Sequence, residues 1–227
     1  PNAGEVLGTV IYSYVGMGDE DGLSLFRINA GSAVKNMAVY YPEQKADNIR
    51  PCSYTFKEED QYGPTIESIL LVNSYNGICF GPRVNALQTV RNVYGTVLKN
   101  GYYIDYNVDI CRVENVGFSP DYWIKSGLDS VDETALRSFV KENCIAFLVE
   151  NVDWTYMNDI SVDGAYIAYK TGFSSRREGG GACNGEMYNF RFENCEYGYY
   201  GEYVNDIGHM FTNGTVIAKV PVCMADT

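Results

Sequence analysis

Apolar and polar residues alternate in short runs along most of this chain, and that period of two predicts strands. The runs are Leu7 to Tyr14, Ala33 to Tyr41, Thr65 to Val72, Thr89 to Val97, Tyr102 to Asp105, Ile110 to Val116, Cys144 to Val149, Ile160 to Val162, Ala165 to Tyr169, Met187 to Phe192 and Met210 to Ala218. Asn76-Gly77, Asn100-Gly101, Asp163-Gly164 and Asn213-Gly214 read as turn dipeptides between them, some of hairpin type. One segment breaks the pattern. From Ser126 to Asn143, Leu128, Val131, Ala135, Leu136, Phe139 and Val140 fall at helical spacing, with Ser130 and Glu133 as a capping box. A helix of about three turns is predicted there.

Asparagine recurs at one place in the strand pattern, between a charged residue and an apolar one. The series is Lys35-Asn36-Met37, Arg91-Asn92-Val93, Glu114-Asn115-Val116, Glu142-Asn143-Cys144, Glu150-Asn151-Val152 and Glu193-Asn194-Cys195. Asn92, Asn143 and Asn194 are evenly placed, 51 residues apart. A second signature, Tyr-x-x-Asp-Ile, starts at Tyr106, Tyr156 and Tyr203, with separations of 50 and 47 residues. Short strands that recur with asparagine at their turns suit stacked coils, in which side-chain amides form ladders along the axis. The predicted fold is therefore all-β, a right-handed parallel β-helix with one short inserted helix, and residues 1–227 are taken as one domain. Neither Val6 to Tyr14 nor Val216 to Met224 is accompanied by a capping element. This predicts a piece of a longer solenoid, or self-association through exposed strand edges.

Of the 227 residues 46% are hydrophobic and 20% charged, which excludes a disordered chain, and no uncharged stretch is long enough to cross a bilayer. With 17 basic and 29 acidic residues the net charge is −12. Nucleic acid and anionic membranes, which need a basic face, drop out as partners. Tyrosine is the outlier: 20 Tyr, 10 Phe and 2 Trp make the chain 14% aromatic. Tyr and Trp offer flat faces with a polar tip, suited to a sugar or a protein partner, and Tyr is also a good strand former. Seven cysteines contain no C-x-x-C pair, and a single His removes most zinc patterns. Cys144 and Cys195, each inside an apolar stretch, read as buried small hydrophobes.

Three aspartates, Asp109, Asp159 and Asp206, share one slot of the Tyr-x-x-Asp-Ile repeat. On stacked coils they would lie roughly 5 Å apart. Like charges that close can divide into an acid and a base, or can bind Ca²⁺, or each can serve as a turn residue that accepts backbone N–H bonds. Asp153, beside Trp154 and Tyr156, is the better sugar-site candidate: the rings stack on a sugar face while the carboxylate binds hydroxyls or a leaving oxygen. Asp105 is its candidate partner from a preceding coil. Arg176, with Arg177 on a Gly-rich loop, could contact an anionic sugar. His209 has no evident carboxylate to orient it. The candidate catalytic residues are thus Asp153, Asp109 and Asp159, and the candidate substrate-binding residues Trp154, Tyr156, Asp105 and Arg176. No metal is required, calcium being the one ion the oxygen-rich slots could take.

Three stretches carry a family resemblance. The first is Gly16-Met17-Gly18-Asp19-Glu20-Asp21-Gly22, followed by Val34-Lys35-Asn36-Met37-Ala38-Val39-Tyr40-Tyr41. The second runs from Leu71-Val72-Asn73-Ser74-Tyr75 through Val90-Arg91-Asn92-Val93-Tyr94-Gly95 to Arg112-Val113-Glu114-Asn115-Val116, and the third is Val152-Asp153-Trp154-Thr155-Tyr156. Together they resemble the pectate-lyase-like, polygalacturonase-related β-helix proteins that bacteria secrete. The resemblance implies a secreted or cell-surface protein with a polysaccharide ligand. It also implies a glycoside hydrolase or polysaccharide lyase acting on a plant or microbial polysaccharide. The Asp-Asp and Arg-Ile-Lys blocks of polygalacturonases are absent. That favours the alternative, a non-catalytic glycan-binding or structural fibre protein.

Overall fold

Twelve strands and two helices make up the computed structural model, which describes residues 3–59, 62–81, 83–174, 183–205 and 207–225. The strands are β1 (Val10–Tyr12), β2 (Phe26–Ile28), β3 (Ala33–Tyr40), β4 (Tyr54–Glu58), β5 (Thr65–Phe80), β6 (Thr89–Ile104), β7 (Cys111–Phe118), β8 (Ile145–Val149), β9 (Val152–Asp163), β10 (Ile167–Thr171), β11 (Cys183–Gly201) and β12 (His209–Met224). Helices α1 (Asp121–Ile124) and α2 (Glu133–Asn143) lie between β7 and β8. All pairings between these strands are parallel.

The right-handed parallel β-helix expected from the repeats is corrected here. Neighbours run β6-β7-β9-β11-β10-β8, and β8 pairs back onto β6, so six parallel strands close a barrel. Strands β1 to β5 join outside it through β6, and β12 joins through β11. Closure depends on two long strands. Thr89–Gly95 of β6 pairs with β7, while Asn100–Ile104 pairs with β8. Likewise Cys183–Glu193 of β11 pairs with β9, and Tyr197–Gly201 with β10. A register shift at Glu193/Cys195, where Asn194 has φ 55°, turns the second half of β11 toward its other partner.

The spacings near 50 residues were the misleading signal, because they do not match the register. Asn36, Ser68, Asn92, Asn115, Asp159, Asn189 and Asn213 occupy equivalent positions on seven strands, with φ between 50° and 61°. Left-handed backbone costs a residue with a Cβ about 1–2 kcal/mol, least for Asn, whose amide can bond locally. The ladder is real where Asn115 Nδ2 donates to Asn92 Oδ1 at 2.7 Å and Asn213 Nδ2 to Asn189 Oδ1 at 2.5 Å. Asn143 instead ends α2, and Asn151 lies in the turn between β8 and β9. Three of the four turn dipeptides lie inside strands. A Cβ on Gly77 would sit 2.4 Å from the Gly101 carbonyl, so glycine is needed there for close approach of strands.

Inward-facing residues fill the barrel: Val90, Val113, Met157 and Met187 at one level, Val93, Val116 and Ile160 at the next, and Tyr102, Phe147 and Tyr169 from the second halves. Each such side chain contributes about 1.5–3 kcal/mol by leaving water. Cys144 and Cys195 are buried as expected, and all seven cysteines are free thiols. The predicted helix forms as α2, burying Leu136 and Val140, but its cap is Asp132, whose carboxylate accepts from Ala135 N at 2.9 Å. Asp132→Ala is expected to lower stability by about 1 kcal/mol in urea denaturation, whereas Ser130→Ala should leave it within about 0.5 kcal/mol.

Candidate functional site

The predicted catalytic aspartates do not meet. Asp109 is exposed in the loop between β6 and β7, and its Oδ1 accepts from Ile110 N at 2.7 Å. Asp159 lies in the middle of β9, in the asparagine slot, where Asn158 Nδ2 donates to it at 3.2 Å. Asp153 is exposed at the start of β9, its backbone N–H bonded to the Asn107 carbonyl. The Tyr-x-x-Asp-Ile segments thus lie in a loop, in a strand and, for Asp206, outside the described residues, where Arg176 and Arg177 also fall. Asp105 is buried and structural: its Oδ1 accepts from Tyr106 N at 2.8 Å and Asn151 N at 3.2 Å. Among the described residues no group of three or more His, Cys, Asp or Glu is placed to hold a metal ion.

The aromatic part of the prediction does form a surface. Arg112, Tyr156 and Glu186 follow one another across β7, β9 and β11, and Glu114, Asn158 and Tyr188 form the row beside them. Tyr156 is 38% and Tyr188 42% exposed. The Arg112 guanidinium lies 5.9 Å above the Tyr156 ring, and the Trp154 ring is 6.3 Å from it on the same strand. Tyr156, Tyr188, Arg112, Glu114 and Asn158 line a hollow of about 290 Å³. Among the described residues Arg112 makes no ion pair, and Trp154 Nε1 is buried without a hydrogen-bond partner.

A second arrangement lies where the strands end. Asp105, Glu150, Gly172 and Glu202 come directly after β6, β8, β10 and β11. Their N–H groups bond to Phe80, Ile104, Val149 and Thr171 carbonyls at 2.8–3.0 Å, setting them at one level. Tyr103 Oη donates to Glu150 Oε2 at 2.9 Å, and the Tyr54 ring stacks 6.4 Å from that of Tyr103. Burial pushes the Glu150 carboxyl up to about 7; the Asp105 and Glu202 charges add to this, while the Tyr103 hydrogen bond and Lys170 oppose it. Lys170 Nζ pairs with Glu202 Oε2 at 2.8 Å and lies 5.6 Å over the Tyr200 ring. A Cβ on Gly172 would stand 3.2 Å from Glu150 Cγ, so the Glu150 side chain lies against the glycine. Sequence reading passed over Glu150 and Glu202. For Glu150 the available signal was an acid directly after the last apolar residue of a strand, as in Ile104-Asp105 and Val149-Glu150, whereas Glu202 follows Gly201 and carried none.

His209 has partners after all, though not a carboxylate. Its Nδ1 is 3.2 Å from Tyr169 Oη and its Nε2 3.6 Å from Cys183 Sγ. Burial lowers His209 to about 4 and pushes Cys183 up to about 12. Thiol and imidazole are therefore both neutral near pH 7, the opposite of the thiolate that nucleophilic cysteine chemistry requires.

Comparison with known families, curated proteins and solved structures gives no match for this chain. The resemblance to pectate-lyase-like and polygalacturonase-related β-helix proteins is accordingly corrected: the strands close a barrel, and no family match accompanies the shared motifs.

Proposed function

We propose that this protein binds a neutral polysaccharide across the outer face of β7, β9 and β11. The observation that carries this reading is the pair of half-exposed rings, Tyr156 and Tyr188, on neighbouring strands, with Arg112 packed on the first. Sugar rings present C–H faces that stack on aromatic faces, and a guanidinium fork can donate to two hydroxyls at once. The neutral class follows from charge. Glu114 lies beside Arg112 on β7 and Glu186 beyond Tyr156 in its row, and the chain carries −12 overall, so a polyanion would be repelled. A binding reading is favoured over the aspartate-based enzyme because Asp153, Asp109 and Asp159 have separate environments.

Affinity electrophoresis in gels containing mixed-linkage β-glucan, arabinoxylan or galactan tests the proposal, with polygalacturonate as the charged control. Retardation by at least one neutral polymer is expected. Tyr156→Ala and Tyr188→Ala should each weaken binding by about 2- to 10-fold, as expected for one lost aromatic contact. No retardation by any neutral polymer, or retardation indifferent to both substitutions, would overturn it.

A further inference from the structure

We propose that Glu150 and Glu202 are the acid and base of a glycoside-hydrolysing centre that cuts the neutral polysaccharide bound by the neighbouring tyrosine face. This rests on the binding reading and adds a reaction to it. Both residues sit just past strand ends, with β10 between β8 and β11, so their backbones are two strand spacings, roughly 10 Å, apart. The residue between them is Gly172, against which the Glu150 side chain lies. Carboxyl groups of inverting glycosidases stand roughly 6.5–9.5 Å apart, leaving room for a water on the far face of the sugar. Two glutamates on either side of a bare glycine suit that geometry.

Their surroundings assign the roles. Glu150 is half-buried and next to the Asp105 carboxyl, a setting that favours its neutral, proton-donating form against the opposing Tyr103 hydrogen bond. Glu202 is more exposed and carries the Lys170 ion pair, a setting for a carboxylate that accepts a proton. The stacked Tyr54 and Tyr103 rings on one side and Tyr200 on the other give a sugar two aromatic walls. The turn after Glu150 leads to Asp153, Trp154 and Tyr156 three, four and six residues on, which lets one polysaccharide chain reach both places.

In the step itself, Glu150 gives its proton to the glycosidic oxygen as the bond from that oxygen to the anomeric carbon breaks. A water oxygen bonds to the anomeric carbon from the opposite face, and its proton passes to Glu202. One water is consumed, one reducing end appears, and proton exchange with solvent resets both carboxyls. The new reducing end has inverted anomeric configuration.

The test incubates the full chain with mixed-linkage β-glucan, arabinoxylan and galactan, measuring binding and reducing ends in parallel. Wild-type protein is expected to release reducing ends, with activity falling as the pH rises past about 7 as Glu150 loses its proton. Glu150→Gln and Glu202→Gln should each lose at least about 100-fold of the rate while keeping polymer retardation, which also certifies their fold. Binding without reducing ends would overturn the hydrolytic centre and leave the binding reading standing. Neither binding nor release would overturn both. Release that survives Glu150→Gln would overturn the assignment of the acid.

Discussion

Replacing Phe147 by alanine is expected to destabilise the protein by about 3–5 kcal/mol. The ring is fully buried, 5.3 Å from that of Phe118 and 6.0 Å from that of Tyr102. It lies on β8, the strand that pairs with β10 on one side and with β6 on the other and so closes the barrel. Truncation removes the transfer free energy of the ring and leaves a cavity that two rigid aromatic neighbours cannot fill. Leu148, next on the same strand, is half-buried on the opposite face. Leu148→Ala should cost no more than about 1 kcal/mol. Urea denaturation followed by fluorescence of Trp123 and Trp154 compares the two. A Phe147→Ala cost equal to or below that of Leu148→Ala would show that the barrel does not depend on this contact.

Glu150→Gln is expected to change how stability depends on pH, and His209 must be included to read the result. Glu150 moves from an ordinary 4.5 to about 7 in the fold, so between those values the native chain holds a proton that the unfolded chain releases. Its contribution is complete below about 4.5 and is lost as the pH rises through about 7. His209 moves the other way, from 6.5 to about 4, because burial penalises its cation. Its contribution is complete above 6.5 and is lost as the pH falls through about 4. The two slopes oppose one another over most of the interval between pH 4.5 and 6.5. Glu150→Gln should expose the rising slope of His209, and at pH 8 the variant should gain on the order of 1–2 kcal/mol over wild type relative to their difference at pH 5, after allowing for solvent screening of a half-buried group. His209→Gln should expose the falling slope of Glu150. Denaturation midpoints at pH 5, 6.5 and 8 decide it, and parallel curves for Glu150→Gln and wild type would sink the account.

Strand positions were legible because their signal is local. Ala33 to Tyr41 became β3 but for its last residue, Cys144 to Val149 became β8 but for its first, and Ile110 to Val116 falls almost wholly within β7. Thr89 to Val97 and Tyr102 to Asp105, read as separate, are one strand, β6, because an Asn-Gly pair looks like a turn until a neighbouring strand is seen to require the bare glycine. Four asparagines of the charged-Asn-apolar series, Asn36, Asn92, Asn115 and Asn194, are held at positive φ in the fold. The same pattern at Glu142 and Glu150 marked a helix end and a turn, since three residues cannot distinguish the uses of asparagine. Regular spacing was the weaker guide: insertions such as the one carrying α1 and α2 make the true register steps unequal.

What the sequence determined alone is the all-β character, most strand positions, helix α2, the Asn36, Asn92 and Asn115 part of the asparagine ladder and the burial of Cys144 and Cys195. Each depends on residues within a few positions of one another, through alternation, capping or the tolerance of Asn for positive φ. Tertiary structure alone decided that β8 returns to β6 and closes the barrel, and that Asp105, Glu150 and Glu202 come to one level around Gly172. Those positions are far apart along the chain. Their alignment depends on how Tyr102, Phe147, Tyr169 and Tyr199 pack in register, and packing across strands leaves no short-range periodicity in the sequence.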